Sequence, residues 1–140
     1  MKANSIILLI TSLFIFSCQS KTEKVYKFKS EGNPLVKHMF TADPSARVFN
    51  DRLYVYTSHD EDTATYFNMQ NWHAFSSKDL NNWVDHGPIF SLEDIEWADK
   101  WAWAPDAIER NGKYYFYYPV ERSKIGVAVS DRPTGPFVDI

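Results

Sequence analysis

The sequence predicts an all-β fold of repeated four-stranded antiparallel sheets, the architecture of a β-propeller. Three observations predict it. Short runs rich in Val, Ile, Tyr, Phe and Trp alternate with clusters of Asn, Asp, Gly and Pro, the composition of strands and their turns. A segment then recurs: Asn50-Asp51-Arg52-Leu53-Tyr54-Val55-Tyr56 aligns with Asn111-Gly112-Lys113-Tyr114-Tyr115-Phe116-Tyr117, 61 residues further on. Finally, Gly87-Pro88 is echoed by Gly135-Pro136, and Ser77-Lys78-Asp79 by Ser130-Asp131. Four short strands repeated at such a period mark propeller blades. A β-sandwich made from one pair of sheets is the competing fold.

Taken in order, the chain opens with a single positive charge in Met1-Lys2-Ala3-Asn4, followed by an apolar run over residues 5–16 and then Ser17-Cys18. This is the anatomy of a signal peptide, and the run is too short to span a bilayer comfortably. Ile15-Phe16-Ser17-Cys18 resembles a bacterial lipoprotein cleavage box. The resemblance implies that residues 1–17 are removed and that Cys18 becomes the lipidated first residue of an exported, envelope-anchored protein. An ordinary signal in which Cys18 is incidental is the alternative. Cys18 is the sole cysteine, so no disulfide staples the rest. Residues 18–33 are polar and Lys-rich, as a tether would be, and the folded part is expected over residues 34–140.

Within that part, residues 35–39 read as a lead-in strand and residues 48–50 and 53–58 as a hairpin. In the second of these strands, Leu53, Val55 and Thr57 share one face. Residues 66–70 read as loop and 72–77 as a third strand. Residues 78–83 form a polar turn anchored by Leu80 and Trp83, and 84–87 a fourth strand that Pro88 ends. Residues 91–100 are acidic and read as a loop or short helix. Residues 107–110 then lead into Asn111-Gly112, a type I′ hairpin signal. Residues 113–118 and 125–130 are the next strands, and residues 131–137 a turn before a last one.

The 140 residues suffice for one small domain. They carry 18 acidic and 15 basic side chains, with no long basic run, which argues against nucleic acid as a partner. The 16% aromatic content suits half-buried strands and also flat rings that stack on sugars. Asp43, before Pro44, and Asp106, after Pro105, occupy equivalent places in the two repeats. First strands line a propeller's channel, so both could face one pocket. Paired carboxylates flanking a sugar bond are the machinery of glycoside hydrolysis; the bland alternative is that both cap strands or turns. His59 and Asp60 follow a strand near the presumed channel mouth, where they either touch substrate or hydrogen-bond locally. Trp103 either stacks on a sugar ring or packs between blades. No spacing suits a metal site, and no cofactor is expected.

Thr41-Ala42-Asp43-Pro44-Ser45, with Leu53-Tyr54-Val55-Tyr56-Thr57-Ser58-His59-Asp60, resembles the opening of glycoside hydrolase family 43. Trp103-Ala104-Pro105-Asp106, with Asn111-Gly112-Lys113-Tyr114-Tyr115-Phe116-Tyr117, is similar to its second motif. Ala128-Val129-Ser130-Asp131 and Thr134-Gly135-Pro136-Phe137 are similar to a third. The resemblance implies a five-bladed β-propeller, of which about two blades are present here, and hydrolysis with inversion of β-xylosides or α-L-arabinofuranosides. It implies that Asp43 is the general base and that Asp106 is the auxiliary aspartate orienting the acid and raising its pKa. The family's acid is a glutamate on a later blade. Glu109 and Glu121 lack its context, so the expectation is an N-terminal part of an enzyme without its acid. A non-catalytic, lipid-anchored glycan-binding propeller is the rival function.

Overall fold

The computed structural model describes residues 25–140. The signal-peptide and Cys18 readings lie outside the described residues. Two antiparallel sheets follow one another along the chain. The first contains β1 (Tyr26–Lys29), β2 (Phe40–Phe49), β3 (Arg52–Asp60), β4 (Met69–Ser77) and β5 (Asn82–Ser91), in the order β1-β5-β4-β3-β2. A 3-10 turn (Leu92–Asp94) follows. The second sheet is the meander β6 (Asp106–Arg110), β7 (Lys113–Val120), β8 (Lys124–Ser130) and β9 (Val138–Asp139). Apart from β1, strand order in space is strand order in sequence, which is how propeller blades are built. The two expected blades are present, as two sheets that do not close on each other.

The hairpin turns are local chemistry. Asn50 and Asp51 have φ of 49° and 58°, and Asn111 and Gly112 of 55° and 74°. Both central residues of a type I′ turn need positive φ, which Asn, Asp and Gly tolerate best. The acidic stretch after β5 holds the short 3-10 turn, within the expected loop or short helix.

Three elements differ from the sequence reading. Residues 35–39 are not a strand. The lead-in strand is instead β1, inside the stretch read as tether, with Phe28 opposite Trp83 on β5. Phe28 packs edge-on against Phe75, with ring centroids 6.3 Å apart. A Lys-rich segment becomes a strand because its alternate aromatics meet a sheet edge. Pro88 does not end β5: it faces His73 between two register shifts. A bulge is the interior position that tolerates a residue without an N–H. Finally, Asp43 belongs to a β2 longer than expected.

The core lies between the sheets and is aromatic. Trp72 and Phe90 from the first sheet meet Phe116 and Tyr118 from the second, and Trp72, Phe116 and Tyr118 are fully buried. Trp72 lies 5.8 Å from Phe116 and Phe90 lies 5.0 Å from Tyr118, centroid to centroid. Such pairs add about 0.5–1.5 kcal/mol each beyond area burial. The Trp72 Nε1–H donates to the Trp103 carbonyl at 2.8 Å, and the Tyr56 hydroxyl to the Pro133 carbonyl at 2.7 Å. Gly126 has no side chain because the Tyr118 ring occupies that space; a Cβ there would lie 2.1 Å from it.

A buried polar cluster fastens the segment before β2. Asp85 accepts hydrogen bonds from His38 Nε2 at 2.9 Å, His73 Nδ1 at 3.3 Å and the Gly87 amide at 2.8 Å. Burial pushes the Asp85 carboxyl up, but these donors outweigh it and hold it down to about 2. A depressed folded-state value stabilises above the unfolded value of about 4 and is lost as pH falls towards 2. The expected outcome is a loss of about 2 kcal/mol between pH 4 and pH 2 that Asp85→Asn removes. Thermal unfolding across that window checks it, and equal slopes for both proteins would refute it.

Candidate active site

The site is built on β2 and β6, the strands that end the two sheets where they adjoin. Along β2, Ala42 pairs with Ser58 and Ser45 with Tyr56. Asp43 and Pro44 therefore share a single partner position, Thr57. This is a β-bulge, which re-aims a side chain out of the regular pleat. Asp43 has a φ of 51°. A following proline disfavours the right-handed helical region, and Asp43 takes the left-handed turn-like one, which Asp adopts more readily than most residues. The Ser58 hydroxyl donates to the Ala42 carbonyl at 3.2 Å and pins the chain there. Asp43 is exposed, and no group among the described residues hydrogen-bonds its carboxylate.

Asp106 opens β6 directly after the buried Pro105. Its Oδ1 accepts from the Ala107 amide at 2.9 Å, and its Oδ2 is paired with Arg47 Nη2. Arg47 lies four residues beyond Asp43 on β2. Its Nε donates to the Ala107 carbonyl at 3.2 Å and its Nη1 to the Ala46 carbonyl at 3.2 Å. The guanidinium thus grips side chain and backbone of β6 together, using the fixed fork that distinguishes Arg from Lys. Sequence reasoning missed Arg47. Its only signal was a cation on the same strand as the first aspartate, and nothing local says which carboxylate it reaches.

His59 and Asp60 end β3 beside the start of β2, opposite Thr41 and Phe40. His59 Nδ1 lies 3.1 Å from Asn71 Oδ1, and its ring centroid is 5.0 Å from that of His73. Asp60 Oδ1 accepts from the Asn68 amide at 3.2 Å. Both residues thus have local partners at that end of the sheet. Trp103 is half-buried, with its amide on the Pro119 carbonyl at 3.0 Å. Its ring stacks on Trp101 at 5.9 Å, and Trp101 in turn carries Arg122 4.5 Å from its ring centroid.

The two glutamates set aside as acids are engaged elsewhere. Glu109 Oε1 accepts from the Gly112 amide at 2.7 Å and closes the β6–β7 turn. Glu121 pairs with Lys124 at 2.7 Å, and that hydrogen bond holds its carboxyl below the usual range. A proton donor needs the opposite shift. Among the described residues, no three His, Cys, Asp or Glu side chains converge as metal ligands.

Comparison with known proteins places these features in a family. The sequence profile of "Glycosyl hydrolases family 43" matches residues 32–140. The chain is 47% identical over 118 residues to "Xylosidase/arabinosidase 43A" of Humicola insolens, covering 74% of this chain and 36% of that protein. It is 42% identical over 123 residues to a "Xylosidase/arabinosidase" of Bacteroides ovatus, covering 79% and 38%. A solved GH43 beta-xylosidase/alpha-arabinofuranosidase from a compost microbial metagenome, in complex with xylotriose, superposes with a TM-score of 0.73 at 42% identity, covering 82% of this chain and 38% of that one. The GH43_1 enzyme from Xanthomonas citri, complexed with xylose, gives 0.72 at 44% identity, covering 80% and 35%. This chain therefore spans little more than a third of the length of these relatives. With the family profile matched over residues 32–140 and the fold shared with solved members, this chain belongs to glycosyl hydrolase family 43.

Proposed function

We propose that this chain carries the water-activating half of an inverting glycosidase that acts on β-xylosides or α-L-arabinofuranosides. The observation that carries the reading is Asp43, a free exposed carboxylate aimed by a bulge, on the strand whose Arg47 holds Asp106. Asp43 takes a proton from water as the water oxygen bonds to the anomeric carbon. The glycosidic C–O bond breaks, and the leaving oxygen takes a proton from a general acid. Asp43 then returns its proton to solvent and the acid is reloaded from solvent. No described residue is assigned the acid's role. Inverting geometry separates the base and acid carboxyls by roughly 6.5–9.5 Å to admit the water.

Asp106 is the auxiliary carboxylate. Its charge beside the acid favours the acid's protonated form, and Arg47 sets where that charge sits. His59, Asp60 and Trp103 are the proposed substrate contacts, the first two at the end of β3 and the last with an indole face for a sugar ring. The names of the relatives support this substrate class. Those relatives are named as glycosidases, so a purely glycan-binding role is not the favoured reading. Cys18 anchors the exported protein to the bacterial envelope, periplasmic or cell-surface, through its lipid.

Hydrolysis of aryl β-xyloside and aryl α-L-arabinofuranoside by the active protein is the direct test, and turnover of neither would refute the reading. Asp43→Ala should abolish turnover while leaving the melting temperature nearly unchanged; near-normal turnover would remove Asp43 from the mechanism. Asp106→Asn should lower kcat by about 10²–10⁴-fold, the scale of proton-transfer catalysis, and shift a limb of the pH–rate profile. An unchanged profile would argue against its role. Arg47→Met should cost no more than about 1 kcal/mol of stability, because both partners of the pair are half exposed. The same substitution should lower kcat well beyond that loss. A parallel fall in stability and activity would reduce Arg47 to a structural tie.

A further inference from the structure

We propose that a basic groove at one end of the first sheet docks on the anionic headgroups of the bilayer to which Cys18 tethers the chain. The inference rests on the lipoprotein reading above and adds an orientation to it. The groove has a volume of about 550 Å³, and its charged lining is Lys27, Lys29, Arg52, Lys78 and Asp79. Lys27 and Lys29 project from one face of β1, and Lys29 lies opposite Asn82, beside the turn that carries Lys78. Arg52 opens β3 just past the Asn50-Asp51 turn.

None of the four cations has a carboxylate partner among the described residues. Lys37, Arg47, Lys100, Lys113 and Lys124 all do. The acidic member of the lining does not offset them locally by pairing. Asp79 Oδ1 accepts from the Asn81 and Asn82 amides at 3.0 and 2.7 Å, and its Oδ2 from Asn82 Nδ2 at 2.7 Å. A chain of net charge −3 thus gathers unpaired positive charge at one place. Clustered basic side chains are the usual partners of anionic lipid surfaces.

On that reading the tether keeps the groove near the surface. Residues 19–25 span no more than about 25 Å even when fully extended. They hold β1 within a few Debye lengths of the surface, the Debye length being about 8–10 Å at physiological salt. Lys21 and Lys24 lie in that same stretch. The groove lies at the end of the sheet formed by the Asn50-Asp51 and β4–β5 turns. Asp43 sits on the far half of β2, next to Ala42 and its partner Ser58. Docking through the groove therefore turns the end of the sheet that carries Asp43 towards the glycan and away from the bilayer.

The test is co-sedimentation of the full chain with two kinds of vesicle. One holds phosphatidylglycerol and phosphatidylcholine in equal parts, and the other phosphatidylcholine alone. Binding to the neutral vesicles measures the contribution of the apolar N-terminus. The expected result is a large excess on the anionic vesicles that high salt abolishes. The triple variant Lys27→Glu/Lys29→Glu/Lys78→Glu should lose on the order of a hundredfold of that excess, at about fivefold per lysine. A control with charge reversed on the second sheet, Arg110→Glu/Arg132→Glu, should keep it. Equal binding to both vesicles overturns the proposal, and so does an excess that survives the triple variant, which would place the attraction in the tether. Equal losses in variant and control overturn it too, because net charge would then suffice. Failure of the anchor itself is read separately, as absence of radiolabelled palmitate that depends on Cys18.

Discussion

The structure depends on one contact, the aromatic seam between the two sheets. Trp72 and Phe90 on one side and Phe116 and Tyr118 on the other are large, stiff groups in mutual contact. Neither sheet buries these faces alone. Once they meet, the sheets can neither slide nor rotate without opening voids, because interiors are packed at crystal density. The seam therefore fixes which strands lie side by side, and it brings β2 next to β6. The hold of Arg47 on Asp106 follows from that adjacency.

The site is set by one feature within the first sheet and one between the sheets. A bulge turns Asp43 out of the pleat and leaves its carboxylate free, and a single arginine reaches across to fix Asp106. The two carboxylates thus have different surroundings: one is open to water, the other is clamped between an amide and a guanidinium. Different surroundings let chemically identical groups take different roles. His59 and Asp60 complete the same end of the sheet and are held by Asn71 and the Asn68 amide.

The opposite end has a different character. There the turns are polar, Asp79 is consumed by its own loop, and unpaired lysines collect. The basic end and the end that carries Asp43 thus lie at opposite ends of one sheet. The separation costs nothing structurally, because strand ends are where side chains can change without disturbing the seam.

Much of this was legible in the sequence. The two type I′ turns, the alternation of the strands and the repeat between residues 50 and 111 were readable because they are local: they depend on which residues tolerate positive φ and which face alternates. The two aspartates were readable because each stands beside a proline inside a repeated motif. β1 was not, because its pairing with β5 joins residues more than fifty positions apart, and a Lys-rich segment carries no local mark of the edge it will cover. The passage of β5 through Pro88 was hidden because a bulge depends on the partner strand's register. The reach of Arg47 to Asp106 was hidden for a related reason: it exists only after the aromatic seam has set the two sheets together. The sequence by itself determined most of the strands and the turns, through local conformational preference, and it singled out Asp43 and Asp106 as candidate carboxylates through a repeated motif. Only the tertiary structure decided how Asp43 is aimed and what holds Asp106, because those depend on contacts between distant parts of the chain.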